Sequence, residues 1–106
     1  MLKSPNLDAV LHALAEPNRR AMVERLSRGP AAVSDLAAPF DLTLAAVVQH
    51  VQVLERSGLI RTQKVGRVRT CQLVPTALDV VDKWVADRRA LWSRKLDRLG
   101  AILDES

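Results

Sequence analysis

Between residues 60 and 73 the hydrophobic period of this chain changes, and that change restricts the fold more than any other feature. Before and after it, apolar residues recur every three or four positions, as amphipathic helices require. Across 60–73 valine, threonine and isoleucine are enriched, helix formers are sparse, and Gly66-Arg67 lies near the middle. That reads as two short strands about a tight turn. On the N-terminal side, Leu7, Val10, Leu11 and Leu14 set a first helix over about 6–15, and Glu16-Pro17 restarts the chain. Proline suits the first turn of the helix that follows. Met22, Val23 and Leu26 carry this second helix to Gly29-Pro30, and Val33, Leu36 and Ala37 suggest a short third one, closed by Pro39. Thr43 can cap a fourth helix from Leu44 to Ser57, with Gly58 as its stop. From Thr76 to about Leu103 a single long helical pattern runs through Leu78, Val81, Val85 and the apolar residues beyond.

The expected class is therefore mainly α with one β-hairpin, in the order ααααββα, and at 106 residues it fits one domain over 1–106. Few small folds use that order, and a winged helix-turn-helix is one of them. No run approaches the ~18 apolar residues of a membrane helix. Met1 to Val10 includes Asp8 and lacks the apolar core of a signal peptide. Cys71 is the only cysteine, which excludes an intrachain disulfide and suits a reducing, cytoplasmic setting. With one Phe, two Trp and no Tyr, stacking platforms for single-stranded nucleic acid are essentially absent.

Residues 33–57 read as a short helix, a tight turn at Phe40-Asp41-Leu42, and a capped helix. In helix-turn-helix proteins the second of such a pair enters the major groove. In the fourth helix Val47, Val51 and Leu54 define a buried face, with Leu44 at its edge; Ala45, Gln49, Gln52, Val53 and Arg56 fall opposite. Glutamine amides suit adenine edges, although glutamine is also an ordinary helix-surface residue. Behind this helix, between Ser57 and Val74, stand Arg61, Lys64, Arg67 and Arg69 and no acidic residue. That local charge equals the chain's whole net charge of +4. A charge run by itself is usually a solvated face. On a hairpin beside a recognition helix it is the cation supply that phosphates need. The candidate DNA contacts are Thr43, Ala45, Ala46, Gln49, His50, Gln52, Arg61, Lys64, Arg67 and Arg69. His50 has two readings, a donor to phosphate or base, and a histidine packed at a helix boundary.

A last helix of about 28 residues would extend about 40 Å, farther than so small a domain can cover. Trp84, Leu91, Trp92, Leu96, Leu99 and Ile102 would then lie open unless a second copy buries them. With Leu7, Val10, Leu11 and Leu14 of the first helix, these are the expected homodimer contacts, the dimerisation helices being about 6–15 and 76–103.

Four segments in order resemble one family. Leu14-Ala15-Glu16-Pro17-Asn18-Arg19-Arg20 is similar to the "L-A-D-P-T-R-R" start of the second helix in ArsR-type (ArsR/SmtB-like) regulators. Val33-Ser34-Asp35-Leu36-Ala37 resembles their third helix. The run Val47 to Ile60 (VVQHVQVLERSGLI) resembles their "V-S-K-H-L-K-V-L-E-x-A-G-L-I" recognition helix, and Gly66-Arg67 with Cys71-Gln72-Leu73 resembles their wing. The resemblance implies a dimeric repressor of transcription with the hairpin, 60–73, as its wing and the terminal helices as its interface. Where this chain has Val48, Gln49 and Gln52, the family usually has a serine and two basic residues, which implies greater dependence on the wing for phosphate contacts.

Many members of that family sense metals. A thiolate site in the third helix would use cysteines near Ala32 and Ser34, and a site on the last helix would use histidines, yet none follows His50. Soft-metal binding needs thiolates or several imidazoles, so no metal and no cofactor are expected. The sequence names no effector. Cys71 reads as a small buried hydrophobe, with a redox role as the alternative. No Gly-rich phosphate loop and no nucleophile–histidine pair suggests an enzyme. The rival is a winged helix that binds another protein through its hairpin and long helix.

Overall fold

In the computed structural model, which describes residues 5–104, the five helices and the hairpin follow one another in the expected order, with one further short strand. The expected domain span of 1–106 includes residues 1–4 and 105–106, which lie outside the described residues. α1 (Leu7–Leu14) is capped by Asn6, whose side chain accepts from Ala9 N at 2.9 Å. α2 (Pro17–Leu26) begins with Pro17 in its first turn and Glu16 as cap, accepting from Arg19 N at 2.9 Å. The same turn closes α1: Arg19 Nε donates to Ala13 O at 2.7 Å and Arg20 Nη1 to Leu14 O at 2.7 Å. Carbonyls that a helix C-terminus leaves without partners are thereby satisfied by cations, which also suit the negative end of the helix dipole.

β1 (Ala31–Ala32) leads straight into α3 (Val33–Ala37), and α4 (Leu44–Arg56) follows the connection at 38–43. β2 (Ile60–Val65) and β3 (Val68–Leu73) form the hairpin. β1 was not expected: it pairs antiparallel with β3, Ala31 facing Cys71, so the hairpin becomes a sheet of order β1-β3-β2. Two alanines carry no strand signal of their own, and the free edge of β3 supplies it.

The core collects Met22, Leu36, Leu54, Leu59, Ile60, Val47 and Cys71 from every layer. Val10 also belongs to it, at 0% exposure. That corrects the expectation that Val10 serves a subunit interface, since it offers no surface. Val53, expected on the open face of α4, is half-buried and packs on the core. Leu44, expected at the edge of the buried face, is 62% exposed.

α5 (Pro75–Asp104) differs from the rest. Ala77 is buried and Leu78 and Val81 pack on the core, but every residue from Asp82 to Leu99 is exposed. Thirty residues of helix extend about 45 Å at ~1.5 Å each, and the molecule measures 70 × 32 × 21 Å. No helix among the described residues is long and apolar enough to cross a membrane.

Candidate nucleic-acid interface

Thr43 sets the start of α4: its Oγ1 accepts from Ala46 N at 3.1 Å. That leaves the hydroxyl proton free to donate outward. Ala45, Gln49 and Gln52 are exposed on the open face of the helix, Ala46 is half-buried beside them, and Val48 is 38% exposed between them. His50 turns the other way. Its Nδ1 lies 3.3 Å from Arg19 Nη1 and 3.8 Å from Glu16 Oε2, with the side chain 19% exposed. A guanidinium only donates, so this contact needs Nδ1 without a proton. Of the two readings of His50, the structure places it at the helix boundary and removes it from the open face.

Burial pushes the Glu16 carboxyl up. The amides of Arg19 and Asn18, with the nearby His50 ring and Arg19 guanidinium, outweigh this and hold it below 4.5.

The exit from α4 aims the hairpin. Gly58 adopts φ +86°, the left-handed region where a side chain is strained. Leu59 N donates to Leu54 O at 3.2 Å and Gly58 N to Glu55 O at 3.1 Å, the paired bonds of a Schellman end. Ser57, buried at 4% exposure, is satisfied in the same turn by donating to Leu54 O and accepting from Leu59 N. The strand therefore starts two residues after the glycine, with Leu59 and Ile60 already in the core. At the far end Gly66, at φ +62°, takes the first place of a two-residue turn between the paired Val65 and Val68. No other residue there has positive φ, which is the pattern of a II′ hairpin turn.

Pairing register sorts the four cations that sequence had grouped. Lys64 faces Arg69 directly across the strands, and Thr62 faces Cys71. Alternation puts these four on the face that continues into the core through Ile60 and Leu73. Arg61 stands on the other face, near the base, and Arg67 is in the turn. Arg61 is thus separated from the other three.

Three side chains connect the helix to the wing. Glu55 Oε2 accepts from Thr62 N at 3.1 Å and from Thr62 Oγ1 at 2.6 Å, and Arg69 Nη1 donates to Thr62 Oγ1 at 2.9 Å. They line a cleft of about 300 Å³ between α4 and the sheet, together with Val48 and Gln52 of the helix. Sequence reading missed Glu55 and Thr62. The available signal was their position, one on each side of the Ser57-Gly58 stop. Cys71 is wholly buried beneath them; burial and the charge of Glu55 push its thiol up, against the opposing effect of Arg69. A thiol held protonated and out of reach is a core residue, poorly suited to redox switching. Among the described residues no three His, Cys, Asp or Glu gather into a group able to hold a metal ion.

A capped helix with an open polar face, joined through one left-handed glycine to a basic hairpin, defines a winged helix-turn-helix protein. Residues 14–63 match the family described as a helix-turn-helix domain. The HTH-type transcriptional regulator Rv2034 of Mycobacterium tuberculosis is 37% identical over 97 residues, which is 92% of this chain and 88% of that protein. The crystal structure of an ArsR family transcriptional regulator superposes with a TM-score of 0.79 at 49% identity, over 81% of this chain and 94% of that one. The fold is also that of the homodimeric winged helix-turn-helix DNA-binding domain of Mb0332 from Mycobacterium bovis, at a TM-score of 0.64 and 23% identity over 78% and 80% of the two chains. The chain belongs to the ArsR family of helix-turn-helix transcriptional regulators.

Proposed function

We propose that this regulator binds duplex DNA as a homodimer and represses transcription from a near-palindromic operator. The open face of α4 lies in the major groove, with Ala45, Gln49 and Gln52 toward base edges, Ala46 beside them, and the Thr43 hydroxyl toward a phosphate. Lys64, Arg67 and Arg69 follow the backbone from the wing; Arg61 and His50 are left out of this set. The single observation that carries the reading is the cross-strand pair Lys64 and Arg69. Like charges directly opposite in a sheet destabilise it, and a phosphate near both turns that cost into attraction.

A second copy covers the open stripe of α5, through Trp84, Leu91, Trp92, Leu96, Leu99 and Ile102, with Leu7, Leu11 and Leu14 at its margin. Twofold symmetry then sets the half-sites one or more helical turns apart, about 34–36 Å per turn. Residues 33–57, the wing at 60–73 and the terminal helices act together as one domain of a cytoplasmic protein. Repression is the reading that family likeness supports.

Fluorescence anisotropy with a labelled duplex tests this. If the six wing cations of the dimer, three from each protomer, displace counterions, log K falls against log salt with a slope of about −5.4. Changing Arg67 and Arg69 to Glu abolishes binding. A salt-independent affinity refutes the wing's role, and loss of a protein partner with duplex affinity intact favours a protein-binding module instead.

A further inference from the structure

We propose that Glu55 is the positioning residue of the wing: acting through Thr62, it fastens the hairpin to α4 and holds Arg69 against the same stretch of duplex that the helix reads. This rests on the DNA-binding reading above.

The hydrogen bonds have one consistent direction. A threonine hydroxyl owns a single proton, and Glu55, an acceptor when ionised, takes it at 2.6 Å. The hydroxyl oxygen is then left to accept from the Arg69 guanidinium at 2.9 Å. The chain runs from cation through hydroxyl to carboxylate, so it is charge-assisted at both ends and each bond polarises the next.

The same carboxylate oxygen also takes the Thr62 amide, at 3.1 Å. β2 lies at the edge of the sheet, and an amide that points to Glu55 does not point to β3. Thr62 and Cys71 therefore form a non-hydrogen-bonded pair. Such pairs alternate along the hairpin, so Lys64 and Arg69 form one too, where facing side chains stand closest. Glu55 thus fixes the strand itself as well as the Arg69 side chain. It also supplies the negative charge that keeps Arg69 from swinging away from Lys64.

Its place in the hairpin explains the need. On the inner face Ile60 and Cys71 are buried, Thr62 is half-buried, and everything from Gln63 to Arg69 is exposed. Two strands without a hydrophobic face are marginal by themselves, so the aim of the outer wing is decided where core contact ends. Glu55 fastens the wing at that point. A carboxylate on the duplex side of α4 would repel phosphate; paired this way, it directs a cation toward phosphate.

The test uses a fluorescein-labelled mixed-sequence duplex of about 30 base pairs, long enough for two half-sites one turn apart, titrated over a range of salt. T62V keeps the branched shape and removes the hydroxyl. It is expected to weaken binding about tenfold and make the salt slope shallower by about two, one lost contact in each protomer. T62S restores wild-type affinity within about threefold, and T62V with R69A binds no more weakly than R69A alone, because both remove the same contact. E55A gives the same readouts from the helix side should T62V fold poorly. An unchanged slope in T62V and E55A, or effects of T62V and R69A that multiply, overturns the positioning role while the DNA-binding reading stands. Failure of the wild-type protein to bind the duplex at low salt overturns both.

Discussion

Trp92 lies in the middle of the open stripe of α5, and W92A measures whether a second copy covers it. Its side chain is 61% exposed, and Leu91, Leu96 and Leu99 around it are 46%, 49% and 53% exposed. A tryptophan presents up to roughly 250 Å². About 150 Å² of Trp92 therefore awaits cover, worth about 4 kcal/mol in each protomer at ~25 cal/mol per Å². Twofold symmetry puts the change into both protomers, while alanine keeps a little of the area and a partner covers the ring only in part. If half of the area is covered, the pair loses about 4 kcal/mol, which raises the dimer Kd about a thousandfold. Alanine is the best helix former, so α5 persists, and the contact of Arg88 with the Trp84 ring, 5.2 Å from its centroid, lies outside the change. Sedimentation equilibrium over a wide concentration range gives the constant, and far-ultraviolet circular dichroism checks the helix. A Kd within threefold of wild type refutes the assignment of Trp92 to the interface. A wild-type chain that is monomeric at high concentration refutes the dimer altogether.

Three further outcomes follow from local geometry. T43A removes the cap of α4 and should lower stability by about 1 kcal/mol, read as a shift in the urea midpoint; no shift would mean that the 3.1 Å contact with Ala46 N adds nothing. G58A forces a side chain into left-handed backbone at about 1–2 kcal/mol and brings its Cβ to 3.1 Å from Pro5, so a variant as stable as wild type contradicts the turn described. For Glu16 the folded carboxyl lies below its ordinary 4.5, so its contribution is complete above that pH and is lost as pH falls through the lowered value. E16Q should therefore show a flatter acid limb than wild type in stability measured below pH 4.5, and parallel limbs would refute the attribution.

What the sequence made legible, and what it did not, divides by the range of the interactions involved. The start of α2 was readable because each part acts locally: Glu16 caps, Pro17 opens the turn, and Arg19 and Arg20 reach back to the end of α1. The hairpin was readable from its alternation and from Gly66. β1 was not, because Ala31 and Ala32 become a strand only when β3 lies beside them. Val10 shares a helix stripe with Leu7, Leu11 and Leu14, and periodicity gives no means of separating the part of that stripe that meets its own core from the part left open. Val53 went astray for a related reason: α1 packs over that side of α4 and widens the buried arc beyond what a wheel on one helix can show.

The site follows the same division with one instructive exception. The cations of the wing were countable from sequence, and so was the parity that separates them. With the turn at Gly66-Arg67, Lys64 must meet Arg69, and Arg61, three residues before Lys64, must fall on the opposite face. Grouping the four by net charge discarded that information, although charge acts through position and not through sums. The connection from Glu55 to Arg69 is different. It depends on the angle at which Gly58 releases β2 from α4, and that angle brings Thr62, seven residues farther along the chain, within 2.6 Å of the carboxylate. A single left-handed residue thus decides whether the acidic side chain on the recognition helix opposes the duplex or aligns the wing to meet it.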